Sequence, residues 1–287
     1  MTQVGYIGLG NIGKPMCSVL IKNGAQKGIQ VTVFDVVAEP VAEMVELGAK
    51  AAHSVASLAA ECDVIGVCVR DDKDVDAILY GDGGMLTNGR SGAVIAIHST
   101  VTRTNMLRWA KDAAEFDIHV IDAPITGGAS GAADGSLCIM VGAEEAALGK
   151  ALPMLECTSK RVVHGGKVGS GVVLKLANNL MTYAAFTAVS EGVALIKKAG
   201  LNPEDLYAVG DVNGIITPSA KQFITGREGL LAGCTEEQMD EFFGPFAGLG
   251  EKDLDHALAL CRELNLELPA TETVRKNIRQ TFLKGQV

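Results

Sequence analysis

The chain has 287 residues, of which 48% are hydrophobic and 21% charged, so it can bury one large core or two of moderate size. Its net charge of −9 argues against nucleic-acid binding, which requires a basic face. A small anionic ligand stays compatible with this charge, because two local lysines can outweigh a distant acidic surface.

The cysteines and the N-terminus indicate the cellular compartment. The seven cysteines are odd in number and form no C-x-x-C pair, which is typical of free thiols in a reducing cytoplasm. The first residues are typical of a strand and not of a signal peptide, and no uncharged apolar run reaches membrane-spanning length. Histidines and cysteines are scattered, so we expect no metal site. We predict a cytoplasmic protein with no membrane partner and no nucleic-acid partner.

Short apolar runs alternate with helical patterns up to about residue 165. Strands are predicted at residues 3–8, 30–35, 63–69, 93–98, 118–124, 137–142 and 161–166. Helices are predicted between them, for example at residues 15–24, 39–48 and 104–116. This alternation predicts an α/β fold with a mainly parallel, doubly wound sheet that is covered by helices on both faces.

A glycine-rich turn follows the first predicted strand. Gly8, Gly10 and Gly13 form a G-x-G-x-x-G pattern, and Asp35 ends the second strand. Gly8 permits a tight turn, Gly10 lets a pyrophosphate approach the backbone, and Gly13 allows close packing of the next helix. Asp35 would accept hydrogen bonds from the adenosine ribose and repel a 2′-phosphate, which the following Val36 cannot neutralise. The pattern therefore favours NAD over NADP.

The second part of the chain carries only helical patterns. Residues 171–200 predict a helix of about 29 residues, or ~44 Å at 1.5 Å per residue. Asn202 then provides an N-cap in front of Pro203, and further helices are predicted at 251–265 and 270–282. Four glycines cluster just after residue 164, so we predict that the boundary between two domains lies there. They are an NAD-binding Rossmann-type domain at 1–165 and an all-helical domain for substrate binding and oligomer contacts at 166–287.

One lysine stands inside the apolar start of the long helix. Lys175 and Asn179 are four residues apart and therefore share a helix face, with Asn178 nearby. A partly desolvated lysine there could protonate a developing alkoxide and remove the hydroxyl proton in the reverse direction. The loop at 124–128, which follows a strand, offers backbone amides and a hydroxyl to a small ligand.

Four motifs follow one another along the chain. They are GLGNIGKPM at 8–16, DAPITGG at 122–128, GSGVVLKLANN at 169–179 and EKDLDHAL at 251–258. In this order they resemble the cofactor, substrate-binding, catalytic and K-D-L motifs of the β-hydroxyacid dehydrogenase family, which includes 3-hydroxyisobutyrate dehydrogenase. The resemblance implies a Rossmann-type domain, a long interdomain helix, an all-helical C-terminal domain, and a homodimer or homotetramer.

The resemblance also implies a reaction and its residues. A 3-hydroxy acid would be oxidised reversibly to its semialdehyde or keto acid, and hydride would pass to the nicotinamide. Lys175 would be the catalytic general acid/base, and Asn179 would be its partner. The residues implied for substrate binding are Thr126, Gly127, Gly128, Lys252 and Asp253. The residues implied for cofactor binding are Gly8, Gly10, Asn11, Ile12, Gly13, Asp35, Val69, Arg70, Thr100 and Lys252.

Other functions are compatible with parts of this pattern. An NADPH-dependent glyoxylate/succinic semialdehyde or tartronate semialdehyde reductase would share the motifs. An imine reductase commonly has another residue in place of Lys175, and a non-catalytic NAD-binding module would be expected to lose it. His98 is a rival catalyst, but it has no acid at a diagnostic spacing, so we predict a structural role for it. Our main hypothesis is an NAD-dependent dehydrogenase for a small, anionic, 3-hydroxyisobutyrate-like acid.

Overall fold

The computed structural model describes residues 2–284, which form two compact units. The first unit ends at Lys175 and the second begins at Leu176. A nine-stranded sheet with flanking helices makes up the first unit, and the second is built of helices. The predicted fold class, a doubly wound α/β part followed by a helical part, is confirmed.

The sheet of the first unit is parallel over most of its width. Its strands are β1 (Thr2–Ile7), β2 (Ile29–Phe34), β3 (Lys50–Ala51), β4 (Val64–Val67), β5 (Val94–Ile97), β6 (His119–Asp122), β7 (Ile125–Thr126), β8 (Leu137–Gly142) and β9 (Ser159–Gly166). Their order is β3-β2-β1-β4-β5-β6-β8-β7, and β9 pairs with β8. The pairs from β3 to β6 are parallel, whereas β8 runs antiparallel to β6 and β7. The order 3-2-1-4-5-6 is that of dinucleotide-binding sheets.

Burial on both faces explains why the central strands are apolar. Every residue of β4 and β5 is buried, and their register pairs Val64 with Val94 and Val67 with Ile97. Parallel strands that are covered on both faces are continuous apolar runs in sequence, which made β4 and β5 predictable. All seven predicted strands appear in the structure. β3 and β7 have two residues each and no such run, and the sequence did not predict them.

Among the described helices of the first unit, three begin at a residue whose side chain caps the first turn. The helices of this unit are α1 (Gly13–Ala25), α2 (Ala38–Glu46), α3 (Val55–Glu61), α4 (Asp72–Leu79), α5 (Met85–Asn88), α6 (Arg103–Ala114), α7 (Gly128–Asp134) and α8 (Glu145–Cys157). Ser54, Asp71 and Thr102 accept hydrogen bonds from the first turns of α3, α4 and α6, respectively. The predicted helices at 15–24, 39–48 and 104–116 agree with α1, α2 and α6 to within two residues at each end.

One long helix runs from the first unit into the second. The helices are α9 (Ser170–Lys198), α10 (Pro203–Asn213), α11 (Pro218–Leu231), α12 (Glu236–Glu263) and α13 (Pro269–Leu283). Asn202 caps α10 as predicted, accepting from the Glu204 amide at 3.1 Å. The helix predicted at 251–265 is the C-terminal half of α12, which begins after a Thr235 capping box. The prediction was too short because Pro245, inside α12, interrupts the helical pattern.

An aromatic cluster forms part of the core of the second unit. Phe186 of α9 stacks on Phe223 of α11 with 4.4 Å between ring centroids, and Phe282 of α13 lies 4.8 Å from Phe223. Such pairs add roughly 0.5–1.5 kcal/mol to the effect of buried area.

α9 is also long and apolar enough to cross a membrane by length and composition alone, a test that core helices of soluble proteins pass as well. In this structure Val189 and Val193 of α9 are buried in the second unit.

Candidate active site

The turn between β1 and α1 carries the predicted dinucleotide site. Gly8 has a φ of +93°, which glycine adopts without strain, and a Cβ there would lie 2.2 Å from the Cys68 carbonyl oxygen. A Cβ on Gly13 would lie 1.9 Å from the Gly8 carbonyl oxygen, whereas one on Gly10 would have no atom within 4 Å. The turn also contains the predicted residues Asn11 and Ile12. Bare backbone at a helix N-terminus fits a pyrophosphate.

Asp35 follows β2 and lies beside the same turn. Its Oδ2 accepts a hydrogen bond from the Leu9 amide at 2.6 Å, and its Oδ1 accepts one from the Val37 amide at 2.8 Å. The carboxylate is thereby fixed against the glycine-rich turn. The next residue, Val36, has 92% of its surface exposed. An acid held here can accept hydrogen bonds from ribose hydroxyls and would repel an additional phosphate.

Two hydrogen-bonded contacts tie the loop after β4 to the loop after β5. Ser99 Oγ donates to the Val69 carbonyl oxygen at 2.7 Å and accepts from the Val69 amide at 3.0 Å. Asp72 Oδ1 accepts from the Thr102 hydroxyl at 2.7 Å and from the Thr102 amide at 3.1 Å. β4 and β5 are neighbours, so the predicted residues Val69 and Thr100 lie on adjacent loops at the carboxyl edge of the sheet.

Arg70 belongs to a local network on the protein surface. Its Nε lies 2.9 Å from Asp74 Oδ2, and its side chain is 86% exposed. The hydrogen bond from Arg70 lowers the pKa of Asp74. Asp71 caps α4 by accepting from the amides of Lys73 and Asp74. Solvent screens an exposed ion pair of this kind, so the network orders the loop only weakly.

His98 follows β5, but its imidazole is enclosed. The residue is 3% exposed, its ring stacks on Tyr6 at a centroid distance of 6.1 Å, and Nδ1 lies 2.9 Å from the Ala123 carbonyl oxygen. Burial lowers the pKa of His98 to about 4, so the ring is neutral near pH 7. An enclosed neutral ring supports the structural role that the sequence predicts.

The buried imidazole should make the stability of the protein depend on pH. The unfolded His98 ring takes up a proton below about pH 6.5, whereas the folded ring does so only near pH 4. We therefore expect the free energy of unfolding to fall by about 3 kcal/mol, on account of His98, as the pH drops through this window. His98→Gln should remove that loss when urea unfolding is followed at several pH values. His119→Gln, which removes an exposed imidazole, is the control, and identical pH curves for wild type and His98→Gln would contradict the expectation.

The segment from β7 to α7 contains the predicted substrate-binding residues. Thr126 ends β7 and is partly buried, while Gly127 and Gly128 are exposed. Gly127 has a φ of +125°, and a Cβ there would lie 3.1 Å from Leu137 Cδ2, so a side chain at this position is disfavoured. A hydroxyl beside bare backbone provides hydrogen-bond donors of the kind that a carboxylate accepts.

Lys175 lies in the second turn of α9 and is partly buried. Val172, three residues before Lys175, and Leu176, directly after it, are each 1% exposed. Asn179 follows one turn after Lys175, so their side chains leave the same side of α9. Lys175 and Asn179 thus share a side of α9 at a point where the neighbouring residues are mainly apolar.

The predicted residues of the second unit form a polar cluster. Asn179 Nδ2 donates to Asp253 Oδ2 at 2.7 Å, and the Tyr183 hydroxyl donates to the same oxygen at 3.3 Å. Asn178 Nδ2 donates to Asn179 Oδ1 at 3.1 Å, and Lys252 Nζ lies 3.4 Å from Asp253 Oδ1. Asn179 and Asp253 are 7% and 6% exposed, respectively. Their buried hydrogen bond fixes the orientation of the Asn179 amide.

Three residues that the sequence analysis did not single out support the predicted ones. Tyr183 stands four residues after Asn179, a helical spacing that could have indicated it. Ser99 precedes Thr100 directly, without any local signal of its hydrogen bonds to Val69. Asp122 opens the DAPITGG motif and is completely buried, and an acid in an apolar strand could have suggested a partner for its charge.

Comparisons with known proteins find relatives for both parts of the chain. The sequence model of the NAD binding domain of 6-phosphogluconate dehydrogenase matches residues 3–166, and the model described as NAD-binding of NADP-dependent 3-hydroxyisobutyrate dehydrogenase matches 169–286. The 2-(hydroxymethyl)glutarate dehydrogenase of Eubacterium barkeri is 36% identical, over 94% of this chain and 85% of the relative. The 2-hydroxy-3-oxopropionate reductase of Escherichia coli is 29% identical, over 96% and 89%. The crystal structure of 3-hydroxyisobutyrate dehydrogenase from Salmonella typhimurium shares the fold, with a TM-score of 0.81 at 21% identity over 98% and 94%.

The sheet order and the match of residues 3–166 to an NAD binding domain define a chain that binds a nicotinamide cofactor, and the named relatives make it an oxidoreductase. With the helical part included, the chain belongs to the β-hydroxyacid dehydrogenase family, whose members include 3-hydroxyisobutyrate dehydrogenase. It is an NAD(P)-dependent 3-hydroxyacid dehydrogenase.

Proposed function

We propose that the enzyme uses NAD to oxidise a small 3-hydroxyisobutyrate-like acid reversibly to its semialdehyde or keto acid, with Lys175 as the general acid/base. The observation that carries the proposal is the polar face of α9. There, a partly buried lysine lies one turn before an asparagine whose amide is fixed by a buried carboxylate. Lysine provides a group that can both donate and accept a proton, and the amide provides orientation.

The cofactor and Lys175 have separate roles in the proposed reaction. The nicotinamide cofactor, when bound, supplies the acceptor for the hydride that leaves the hydroxyl-bearing carbon. In the oxidation, neutral Lys175 removes the hydroxyl proton, and in the reduction its ammonium returns a proton to the developing alkoxide.

We assign Asp253 to positioning and not to direct substrate contact. Its buried carboxylate already accepts hydrogen bonds from Asn179 and Tyr183. The negative charge of this carboxylate would also repel an anionic substrate. Lys252 lies next to Asp253 and can supply the positive charge. Backbone and hydroxyl groups of the Thr126–Gly128 segment are then proposed to hold the substrate carboxylate, as the family resemblance implies.

The preference for NAD rests on the position of Asp35. Wild-type enzyme should show at least a tenfold higher kcat/KM with NAD than with NADP, because the Asp35 carboxylate repels a 2′-phosphate. Asp35→Asn should reduce the ratio of the two kcat/KM values about tenfold, which corresponds to ~1.4 kcal/mol. The ratio is the readout, since the variant also changes the acceptor of the Leu9 amide and can weaken both cofactors equally.

Asp63→Asn is the matched control for this substitution. Asp63 also accepts a backbone hydrogen bond, from Gln3 at 3.3 Å, and contacts Arg90, but it stands at the opposite end of the strands. The control should leave the NAD/NADP ratio unchanged. A wild-type preference for NADP would contradict the assignment of Asp35.

A panel of small hydroxy acids tests the proposed function directly. Initial rates with NAD should be highest for a 3-hydroxy carboxylic acid of 3-hydroxyisobutyrate size, with 2-hydroxy acids as the comparison series.

The alternative is an NADPH-dependent glyoxylate/succinic semialdehyde or tartronate semialdehyde reductase. The name of the Escherichia coli relative favours this alternative, and faster aldehyde reduction with NADPH would select it. Tight NADH binding without turnover on any of these compounds would instead support a non-catalytic NAD-binding module.

We also propose a cytoplasmic homodimer or homotetramer. All seven cysteines are free thiols, as expected of a reducing compartment. Met181 and Leu195 of α9 are 66% and 70% exposed, and apolar side chains at such positions suit a subunit interface. Light scattering coupled to gel filtration measures the number of subunits, and a monomer at micromolar concentration would contradict this assembly.

A further inference from the structure

A buried carboxylate lies at the point where β6 ends and α9 begins. Asp122 is the last residue of β6 and has no exposed surface. One oxygen, Oδ1, accepts a hydrogen bond from the Gly169 amide at 2.7 Å, and the other, Oδ2, accepts one from the Val172 amide at 2.8 Å. Both donors belong to the start of α9, where backbone N–H groups have no partner inside the helix. Asp122 therefore caps α9 from 47 to 50 residues away in sequence.

The surrounding glycines are what allow the carboxylate to reach these amides. A Cβ on Gly142 would lie 2.4 Å from Asp122 Oδ1. A Cβ on Gly171 would lie 2.9 Å from Asp122 Oδ2 and 2.3 Å from the Met140 carbonyl oxygen. Side chains at these two positions would displace either the carboxylate or the helix. Gly171 of the GSGVVLKLANN segment thus has a steric reason that does not involve a ligand.

The electrostatics of this contact favour an anion. The N-terminus of α9 carries the positive end of the helix dipole, and hydrogen bonds from backbone amides to a carboxylate are charge-assisted. Burial raises the pKa of Asp122 above its ordinary value, and the hydrogen bonds from backbone amides, including those of Gly169 and Val172, offset only part of that rise. Each oxygen of the carboxylate accepts from one backbone donor, whereas a neutral amide of the same size would present its NH2 group to one of them.

Asp122 links two segments to which the proposed function gives separate roles. Lys175 follows Val172 by three residues, which places it ~4.5 Å further along the helix axis. The Thr126–Gly128 segment begins four residues after Asp122. Asp122 and Lys175 belong to the same compact unit.

We propose that Asp122 is a positioning residue that sets the first turns of α9, and with them Lys175, against the Thr126–Gly128 segment. The inference rests on the proposed role of Lys175 in proton transfer. A displacement of about 1 Å between reacting groups can lower a rate about a hundredfold, so loss of this cap should affect the chemical step. It should leave the glycine-rich turn at Gly8 and its cofactor contacts intact.

The test is Asp122→Asn, which keeps the size of the side chain but turns one acceptor into a donor that faces a backbone N–H. We expect kcat to fall 10- to 100-fold, KM for NAD to change less than threefold, and the pH at half-maximal kcat to shift. Amide hydrogen exchange of Gly169 and Val172 should speed up at the same time. Asp76→Asn is the matched control, since Asp76 also accepts two hydrogen bonds, from Arg108 at 2.7 Å and Trp109 at 2.6 Å.

A double-mutant cycle separates this inference from the proposed function. In a Lys175→Ala background, Asp122→Asn should cause no further loss of kcat, because the group it positions is gone. Equal losses in both backgrounds, or an unchanged kcat and pH profile in the single variant, would overturn the positioning role. Wild-type turnover by Lys175→Ala would instead overturn the catalytic lysine, whatever the exchange data show. If Asp122→Asn does not fold, Gly142→Ala, which crowds the same carboxylate, must give the same kinetic pattern.

Discussion

Lys175→Ala is expected to lower kcat about a thousandfold while NADH binds with nearly wild-type affinity. General acid/base catalysis contributes 10²- to 10⁴-fold to a rate, and water does not replace a positioned amine efficiently. The cofactor turn at Gly8–Gly13 lies elsewhere in the first unit and keeps its backbone geometry in the variant. Steady-state kinetics measures the first quantity, and fluorescence titration of NADH measures the second.

Two further lysine variants make this result specific to proton transfer. Lys175→Arg keeps a positive charge but cannot release a proton at neutral pH, so it should be as slow as the alanine variant. Lys198→Ala removes an exposed lysine from the last turn of the same helix and should behave as wild type. Substantial turnover by Lys175→Arg would show that charge, and not proton transfer, is what the position supplies.

Arg227→Met is expected to lower the free energy of unfolding by about 3–5 kcal/mol, because it removes one partner of a buried ionic cluster. Arg227 has no exposed surface. It donates to the Ser190 hydroxyl at 2.7 Å, to the Thr281 carbonyl oxygen at 2.5 Å and to Glu228 at 2.7 Å. It thereby joins α9, α11 and α13, and its guanidinium lies 5.6 Å from the centre of the Phe223 ring.

Methionine fills a similar volume, so the loss measures unpaired polar groups more than a cavity. Although partial burial acts to raise the pKa of Glu228, hydrogen bonds from Lys197 and Arg227 lower it. Removing Arg227 leaves that acid with Lys197 as a partner on its exposed side. Urea unfolding measures the effect, and Arg262→Met, at an exposed arginine of α12, is the control. A loss below 1 kcal/mol would show that the cluster is no more stabilising than apolar packing.

The extent of successful prediction differs between elements for physical reasons. The central strands and α9 were predictable because their burial leaves a local apolar pattern. The two-residue strands β3 and β7 lack such a pattern, and the first half of α12 contains Pro245 and three glycines, a composition typical of a loop. In such segments tertiary packing decides the structure, and local propensity does not.

The candidate site shows the same division. Lys175 and Asn179 were predictable because helical spacing places them on one face. Their supporting contacts were not, since Asn179 and Asp253 are 74 residues apart and Asp122 and Val172 are 50 residues apart. Neither pair shares a local periodicity, so only the folded chain brings the two carboxylates to their donors. Helical spacing thus indicated the proposed reacting groups, whereas the long-range hydrogen bonds that orient them left no local signal.

The hydrogen bond between Asp35 and the Leu9 amide has a practical consequence for redesign. Changing cofactor specificity by replacing Asp35 would also remove an acceptor that anchors the glycine-rich turn. Val36 makes a better first target, because its side chain is almost fully in solvent and carries little packing. An arginine introduced there could neutralise a 2′-phosphate while Asp35 continues to hold the turn. Selectivity and loop stability can in this way be altered separately at two adjacent positions.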